Sequence, residues 1–428
     1  MPTVREFARL TTVEVPPSLD RVTITQSAFD WLAEHAASAS KEAALVTLES
    51  PRSLRVANYV GVIDTPCGTR LEILPKYAVG EEEIGEARRL LVRMVSEALH
   101  LKPRIGLMSD IESFDLPLPE WLASRFLDET SRLIKRGLRQ SYYRVEDRGP
   151  FLRGALDIPA QIRSGPGGAH LLAHRHDVYS FDRPENRLIR AAVEHILLST
   201  RSSENWRLAR ELSIVLADIP KSRLIAADLR DWSSDRLMAD YGPIKQLCEL
   251  VLLRQTPFSI SGNVQGLSML FPMERLFEQY VMASLRKAAP VGMTVRSQAS
   301  DHHLCQHLET GWFGLKPDIL VSVDERGWVV DAKWKLLNAD VKNYQLSQAD
   351  FYQLFAYGHA YLDGEGDMFL VYPRTAAFQS ALPPFHFSSA LRLHVLPFDL
   401  FDRTAPFPFL GAAPHLEEGR NCGPSVYI

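Results

Sequence analysis

The stretch LKPDILVSVDERGWVVDAKWK, residues 315–335, constrains this chain more than any other. Its centre, Asp-Glu-Arg-Gly at 324–327, is turn chemistry, and apolar residues run away from it on both sides. The pattern predicts a β-hairpin with strands over 319–323 and 328–334. Alternation along the second strand sends Trp328, Val330, Ala332 and Trp334 to one face, and Val329, Asp331, Lys333 and Lys335 to the other. Asp318 opens the first strand about where Asp331 and Lys333 close the second. Two carboxylates and an ammonium therefore gather at one end of the hairpin, where apolar surface is the usual occupant. Paired carboxylates repel, and each raises the other's pKa unless a cation sits between them. A hard divalent ion such as magnesium (or manganese) suits that place. It is held by one or two carboxylates and completes its shell with water and phosphate oxygens. Lys333, on the same face as Asp331, is placed to orient an attacking water or offset phosphate charge. These groups are the equipment for metal-assisted phosphodiester hydrolysis.

The spacing is Pro317-Asp318, twelve residues, then Asp331-Ala332-Lys333. It resembles the PD-(D/E)-x-K nuclease motif. That resemblance implies Asp318 and Asp331 as metal ligands, the Ala332 backbone carbonyl as a further ligand, and Lys333 as a catalytic residue. A bare D-x-K is common and would suit a surface hairpin equally well, so the flanking helices matter. In FPMERLFEQYVMASLRK (271–287), Leu276, Phe277, Tyr280, Val281 and Leu285 form an apolar arc, with Glu274 and Glu278 near its edge. Either glutamate could reach the metal; Glu278 is assigned, with Glu274 as the alternative. In SQADFYQLFAYGHAYL (347–362), Gln353 and Tyr357 share a helix face. Gln-x-x-x-Tyr after D-x-K resembles the motif that follows the active site in RecB-like members of the same superfamily. His302, His303 and His307 lack the spacing of a recognised zinc site, and a loop or strand edge is expected there.

Elsewhere the first 80 residues read as strand-rich, with two strands around Pro66-Cys67-Gly68 in LRVANYVGVIDTPCGTRLEILPKY (54–77). A helical stripe follows at Ile84, Ala87, Leu90, Leu91, Met94, Val95 and Ala98, and more helices are expected over 119–142, 185–199, 204–216 and 243–255. Residues 151–193 centre on Ser-Gly-Pro-Gly-Gly, a loop signal, and 256–270 read as a linker. The last segment reads as helix (271–287), strand (292–298), the hairpin, helix (347–362), strand (368–373) and a Pro-rich tail. The expected fold is α/β in the α+β multidomain sense. A strand-rich partner-docking domain covers 1–100, a helical middle region 101–265, and a restriction-endonuclease-like domain 266–428.

Four segments in order, YVGVIDTPCGTRLEILPKY, LRGALDIPAQI, DRPENRLIRAAV and MERLFEQYV, followed by the nuclease elements, resemble the McrC family over about residues 54–373. Its members are nuclease subunits of McrBC-type, modification-dependent restriction systems. The resemblance implies a McrB-like AAA+ GTPase ring as partner and methylated or otherwise modified double-stranded DNA as substrate. It also implies docking on the ring by the N-terminal half, around Gly61 to Tyr77. Consistently, the chain has no G-x-x-x-x-G-K-[ST], indeed no Gly-Lys pair, and so no P-loop of its own. No helix-turn-helix or zinc finger stands out either. A net charge of −4 excludes a uniformly basic surface and leaves any DNA contact to local patches. Between residues 132 and 153 seven Lys and Arg residues accompany Tyr142 and Tyr143, a phosphate-contacting patch or a solvated helix face. Four scattered cysteines, no apolar leader region and no apolar run of about 18 residues lead to the expectation of a cytoplasmic protein with no membrane partner. Two rivals stay open: a stand-alone RecB-like DNA exonuclease, and a non-catalytic adaptor that stimulates an AAA+ NTPase.

Overall fold

The computed structural model describes residues 1–38, 44–77, 83–99, 116–168, 170–233, 235–253, 269–404 and 407–410. The expected linker at 256–270 lies almost wholly outside them. The chain divides into two compact units, Met1–Val92 with Pro103–Phe271, and Arg93–Lys102 with Pro272–Ile428.

The first unit opens with short strands: β1 (Thr3–Arg5), β2 (Arg9–Thr11), β3 (Arg21–Thr23), β4 (Val46–Ser50), β5 (Ser53–Val56), β6 (Tyr59–Asp64) and β7 (Arg70–Leu74), with helix α1 (Gln26–Ser38) among them. Together with β11 (Met269–Pro272) they form two four-stranded sheets, ordered β1-β7-β6-β11 and β3-β2-β5-β4. Alternate residues Val4, Leu10, Leu54, Val56 and Ile73 turn inward and close on Phe29 and Leu32 of α1 in one core. Gly61 stands at φ +127°, and a Cβ there would lie 2.0 Å from the Met269 carbonyl oxygen. Only glycine permits that approach.

Helix α2 (Ile84–Ala98) buries Ala87, Leu90, Leu91, Met94, Val95 and Ala98, the stripe read from the sequence. Helices α3 (Leu118–Arg136), α5 (Pro184–Ser199), α6 (Ser203–Val215) and α8 (Gly242–Leu253) pack together, with the short α4 (Ile158–Arg163) and α7 (Ile225–Arg230) beside them in sequence. Glu120 of α3 is buried and satisfied there, accepting from Thr200 Oγ1 at 2.5 Å and Arg201 N at 2.8 Å.

One sequence expectation fails in this region. The helix from 119 stops at Arg136, because Gly137 takes φ +100°, and Ser141–Gly149 becomes strand β8. The basic run is therefore split between α3, β8 and the loop at Arg153, and is no single helix face. On either side of the Ser-Gly-Pro-Gly-Gly loop signal, 151–193 contains β9 (Ala155–Leu156) and the nine-residue β10 (Leu172–Ser180), which pairs antiparallel with all of β8.

The second unit is a six-stranded mixed sheet. Its strands are β12 (Thr294–Ser297), β15 (Ile319–Val323), β16 (Arg326–Ala332), β17 (Gly366–Pro373), β19 (Leu391–Phe398) and β18 (Phe385–His386), in that spatial order. A separate hairpin, β13 (His302–His307) with β14 (Thr310–Leu315), precedes β15. Helix α9 (Met273–Ala288) covers one face, where Phe277 meets Trp334 and Phe398 at ring-centre distances of 5.3 and 5.9 Å. Helix α10 (Gln348–Tyr361) covers the other, Leu354 and Tyr357 packing with Val329, Leu370 and Leu393. Covered on both faces, β16 buries Val329 and Val330 completely. That is a core strand. The Pro-rich tail supplies β19, parallel to β17, which the sequence reading missed.

Candidate active site

The β15–β16 pairing runs from Val323↔Arg326 to Ile319↔Val330, closed by the two-residue turn Asp324-Glu325 with Asp324 at φ +51°. One step beyond Ile319↔Val330 the register sets Asp318 opposite Asp331 on the face turned toward α10. Directly opposed residues keep their Cβ atoms within about 4.5–5.5 Å. The Ala332 N–H donates to Asp318 Oδ2 at 2.9 Å, and Lys333 Nζ stands 2.7 Å from Asp331 Oδ2. The Lys333 main chain is pinned in turn by its N–H, which donates to the Val371 carbonyl at 2.9 Å.

Asp331 is 1% exposed; the Lys333 ammonium stands 2.7 Å from its Oδ2, while its Oδ1 is buried with no hydrogen-bond partner among the described residues. A buried carboxylate with open lone pairs costs about 1–3 kcal/mol for each unmet group. A cation between the two acids would remove that cost, so the donor set fits a hard, oxygen-seeking ion. Burial, then the charges of Asp331 and Glu278, push the Asp318 carboxyl up to about 8, against the pull of Lys333 and the Ala332 N–H. Burial alone would lower the Lys333 pKa, but the charges of Asp331 and Asp318 hold it above its usual value.

Helix α9 brings Glu278 half-buried toward this cluster and leaves Glu274 exposed. Burial pushes Glu278 up to about 7, with Lys333 pulling down and Asp331 pushing up. Among the described residues no group of three His, Cys, Asp or Glu side chains closes into a metal cage. The opposed carboxylates are Asp318 and Asp331, and Glu278 acts on Asp318 through its charge. On α10, Gln353 Nε2 donates to Tyr357 Oη at 2.7 Å, and Tyr357 Oη donates to the Lys316 carbonyl at 2.8 Å. The two residues thus brace the connection between β14 and β15, two positions before Asp318.

Two further residues belong to this end of the sheet and were missed in the sequence. Tyr372, fully buried on β17, donates to Asp350 Oδ2 at 3.2 Å, and the charge of Asp350 adds to the hold on Lys333. Asp350, Gln353 and Tyr357 follow i, i+3, i+7 spacing on one helix face, a signal the sequence did carry. His302, His303 and His307 lie on the exposed β13; the rings of His302 and His307 rest against Tyr361 and Trp312.

The raised Asp318 pKa fixes the sign of a pH effect. The folded, metal-free chain keeps a proton on Asp318 up to about pH 8, whereas the unfolded chain releases it near the ordinary value of 3.8. The folded state binds more protons across that window, so stability falls as pH rises from about 4 to 8. Denaturant midpoints of metal-free wild type should decline through this range, and Asp318→Asn should flatten the decline. Parallel wild-type and mutant profiles would show that the fold does not raise the Asp318 carboxyl.

A family model described as "McrBC 5-methylcytosine restriction system component" matches residues 54–373. No curated protein matches the chain. Among solved structures, the refined half-complex of a tetradecameric assembly of Thermococcus gammatolerans McrB AAA+ hexamers with bound McrC contains a similar chain. It is 18% identical at a TM-score of 0.72, and the match covers 96% of this chain and 97% of that one. The cryo-EM structure of the T. gammatolerans McrBC complex contains another, 19% identical at a TM-score of 0.50, covering 67% of this chain and 87% of that one. No helix among the described residues is long and apolar enough to cross a membrane.

Proposed function

The chain belongs to the family of McrBC 5-methylcytosine restriction system components, and we propose that it is the McrC-type subunit that cuts the DNA, through Asp318, Asp331 and Lys333. The observation that carries this reading is the buried Asp331 carboxylate set opposite Asp318, with the Lys333 ammonium 2.7 Å away. Asp318 and Asp331 would hold a magnesium or manganese ion. The Ala332 carbonyl is a further candidate ligand, since a strand residue's N–H and C=O point to the same side and this N–H already faces Asp318. When bound, the ion supplies Lewis-acid polarisation of the phosphodiester and lowers the pKa of its water. Lys333, kept charged by its acidic neighbours, holds the attacking water or a phosphate oxygen as a hydrogen-bond donor. Glu278, with a pKa near 7, is suited to take a proton at working pH. Gln353 and Tyr357 keep the Lys316–Asp318 segment in place.

A ring partner follows from the relatives, in which McrB AAA+ hexamers carry bound McrC. This chain, without a P-loop, would dock on such a ring through its strand-rich first unit and act on double-stranded DNA bearing 5-methylcytosine or another modification. The test is reconstitution with a McrB-like ring, nucleoside triphosphate, magnesium and methylated duplex. Cleavage should require every component. Equal cleavage of unmodified ends by the chain alone would instead support a stand-alone exonuclease.

A further inference from the structure

Strand β10 carries His174-Arg175-His176, which sets two imidazoles on the same face, two residues apart. His174 is 2% exposed, and its Nδ1 lies 2.9 Å from the Leu172 carbonyl oxygen. A carbonyl only accepts, so Nδ1 carries the proton and Nε2 is left as a bare lone pair. That Nε2 is buried with no donor, and so is Nδ1 of His176. The two ring centres are 5.3 Å apart. Two imidazole nitrogens about 2.0–2.1 Å from one zinc-sized ion, at the tetrahedral angle, place their ring centres about 5.2 Å apart. The Leu172 carbonyl plays the part that outer acceptors play for metal-bound histidines, fixing the tautomer that leaves the ligating nitrogen free.

We propose that His174 Nε2 and His176 Nδ1 bind one late first-row divalent ion of the zinc or copper class. Imidazole nitrogen selects such ions, whereas the all-oxygen pair at Asp318 and Asp331 selects magnesium or manganese, so the two sites differ in chemistry. Among the described residues no third His, Cys, Asp or Glu side chain closes on the pair. With two protein ligands the site is a weak one. Bound there, the ion ties together the two inward imidazoles of the strand that pairs with both β8 and β9.

The test uses the full chain stripped of metal and titrated with zinc(II) in the absence of magnesium. Asp331→Asn serves as a background that removes the acidic pair from the titration. Wild type and Asp331→Asn should take up the first zinc with matching affinity. His176→Ala, at a half-exposed position, and His174→Gln should each weaken it by at least about tenfold, the loss of a direct ligand exceeding that of a supporting contact. Copper(II) spin resonance should show two coupled nitrogens in wild type and fewer in His176→Ala. Unchanged zinc affinity in folded His176→Ala overturns the proposal. So does a wild type that takes up no zinc, which would leave both nitrogens to an ordered water.

Discussion

Asp331→Asn should reduce DNA cleavage by the reconstituted complex about a thousandfold or more, the equivalent of roughly 4 kcal/mol of lost transition-state stabilisation. The chain should stay folded. The strand that carries residue 331 is held by Val329 and Val330, both fully buried, and by its ladders to β15 and β17. Asparagine is nearly isosteric, and removing the Asp331 charge takes away one of the causes that raise the Asp318 pKa, so Asp318 ionises more readily and is left as the anion beside Lys333. Metal-free Asp331→Asn should therefore unfold at the wild-type midpoint or above it. Lys333→Met makes the useful contrast. It strands Asp331, 1% exposed, without its cation, and breaking one side of a buried pair costs about 3–5 kcal/mol. Because the Lys333 side chain is 27% exposed, the lower end of that range is expected. Two variants that both stop cleavage but move stability in opposite directions would locate the chemistry at this pair. Wild-type cleavage by Asp331→Asn would remove the assignment.

The second large effect is dependence on a partner. With a net charge of −4 the chain has little general attraction for DNA, and it should cut duplex weakly or not at all by itself at physiological salt. Cleavage should appear only with ring, nucleotide and modified DNA together. In the same mixture the chain should accelerate nucleotide hydrolysis by the ring, and Asp331→Asn should do so equally well, since docking is placed in the first unit and cutting in the second. A truncation meant to spare the second unit must stop before Arg93, because Arg93–Lys102 belongs to it and Glu97 there pairs with Arg403. Loss of stimulation in full-length Asp331→Asn would mean that the two roles are not separable.

The hairpin was legible because its information is local. Period-2 alternation put Trp334 and Val329 on opposite faces, which α9 and α10 respectively cover, and turn residues set the register that opposes the two acids. The helical stripes on α2 and α9 were legible for the same reason. What escaped depends on contacts remote in sequence. Strand β19 contains Pro397, which argues against a strand until β17 is seen beside it. The ribbon of β8 and β10 is joined across a Gly-rich loop, and its helical misreading ran straight through Gly137. Asp350 shared a helix face with Gln353 and Tyr357, but its role shows only where Tyr372 and Lys333 arrive from neighbouring strands.

Manganese binding to the isolated chain, followed by loss of the free-ion spin-resonance signal, tests the central claim most directly. It needs neither ring nor DNA. One ion per chain is expected at the acidic pair. Binding should weaken by about a hundredfold or more in Asp318→Asn and in Asp331→Asn, since a hard cation with few protein ligands depends on each carboxylate. It should also tighten as pH rises through 8, because binding displaces the proton held on Asp318. Manganese affinity that is the same in wild type and both variants would contradict the account.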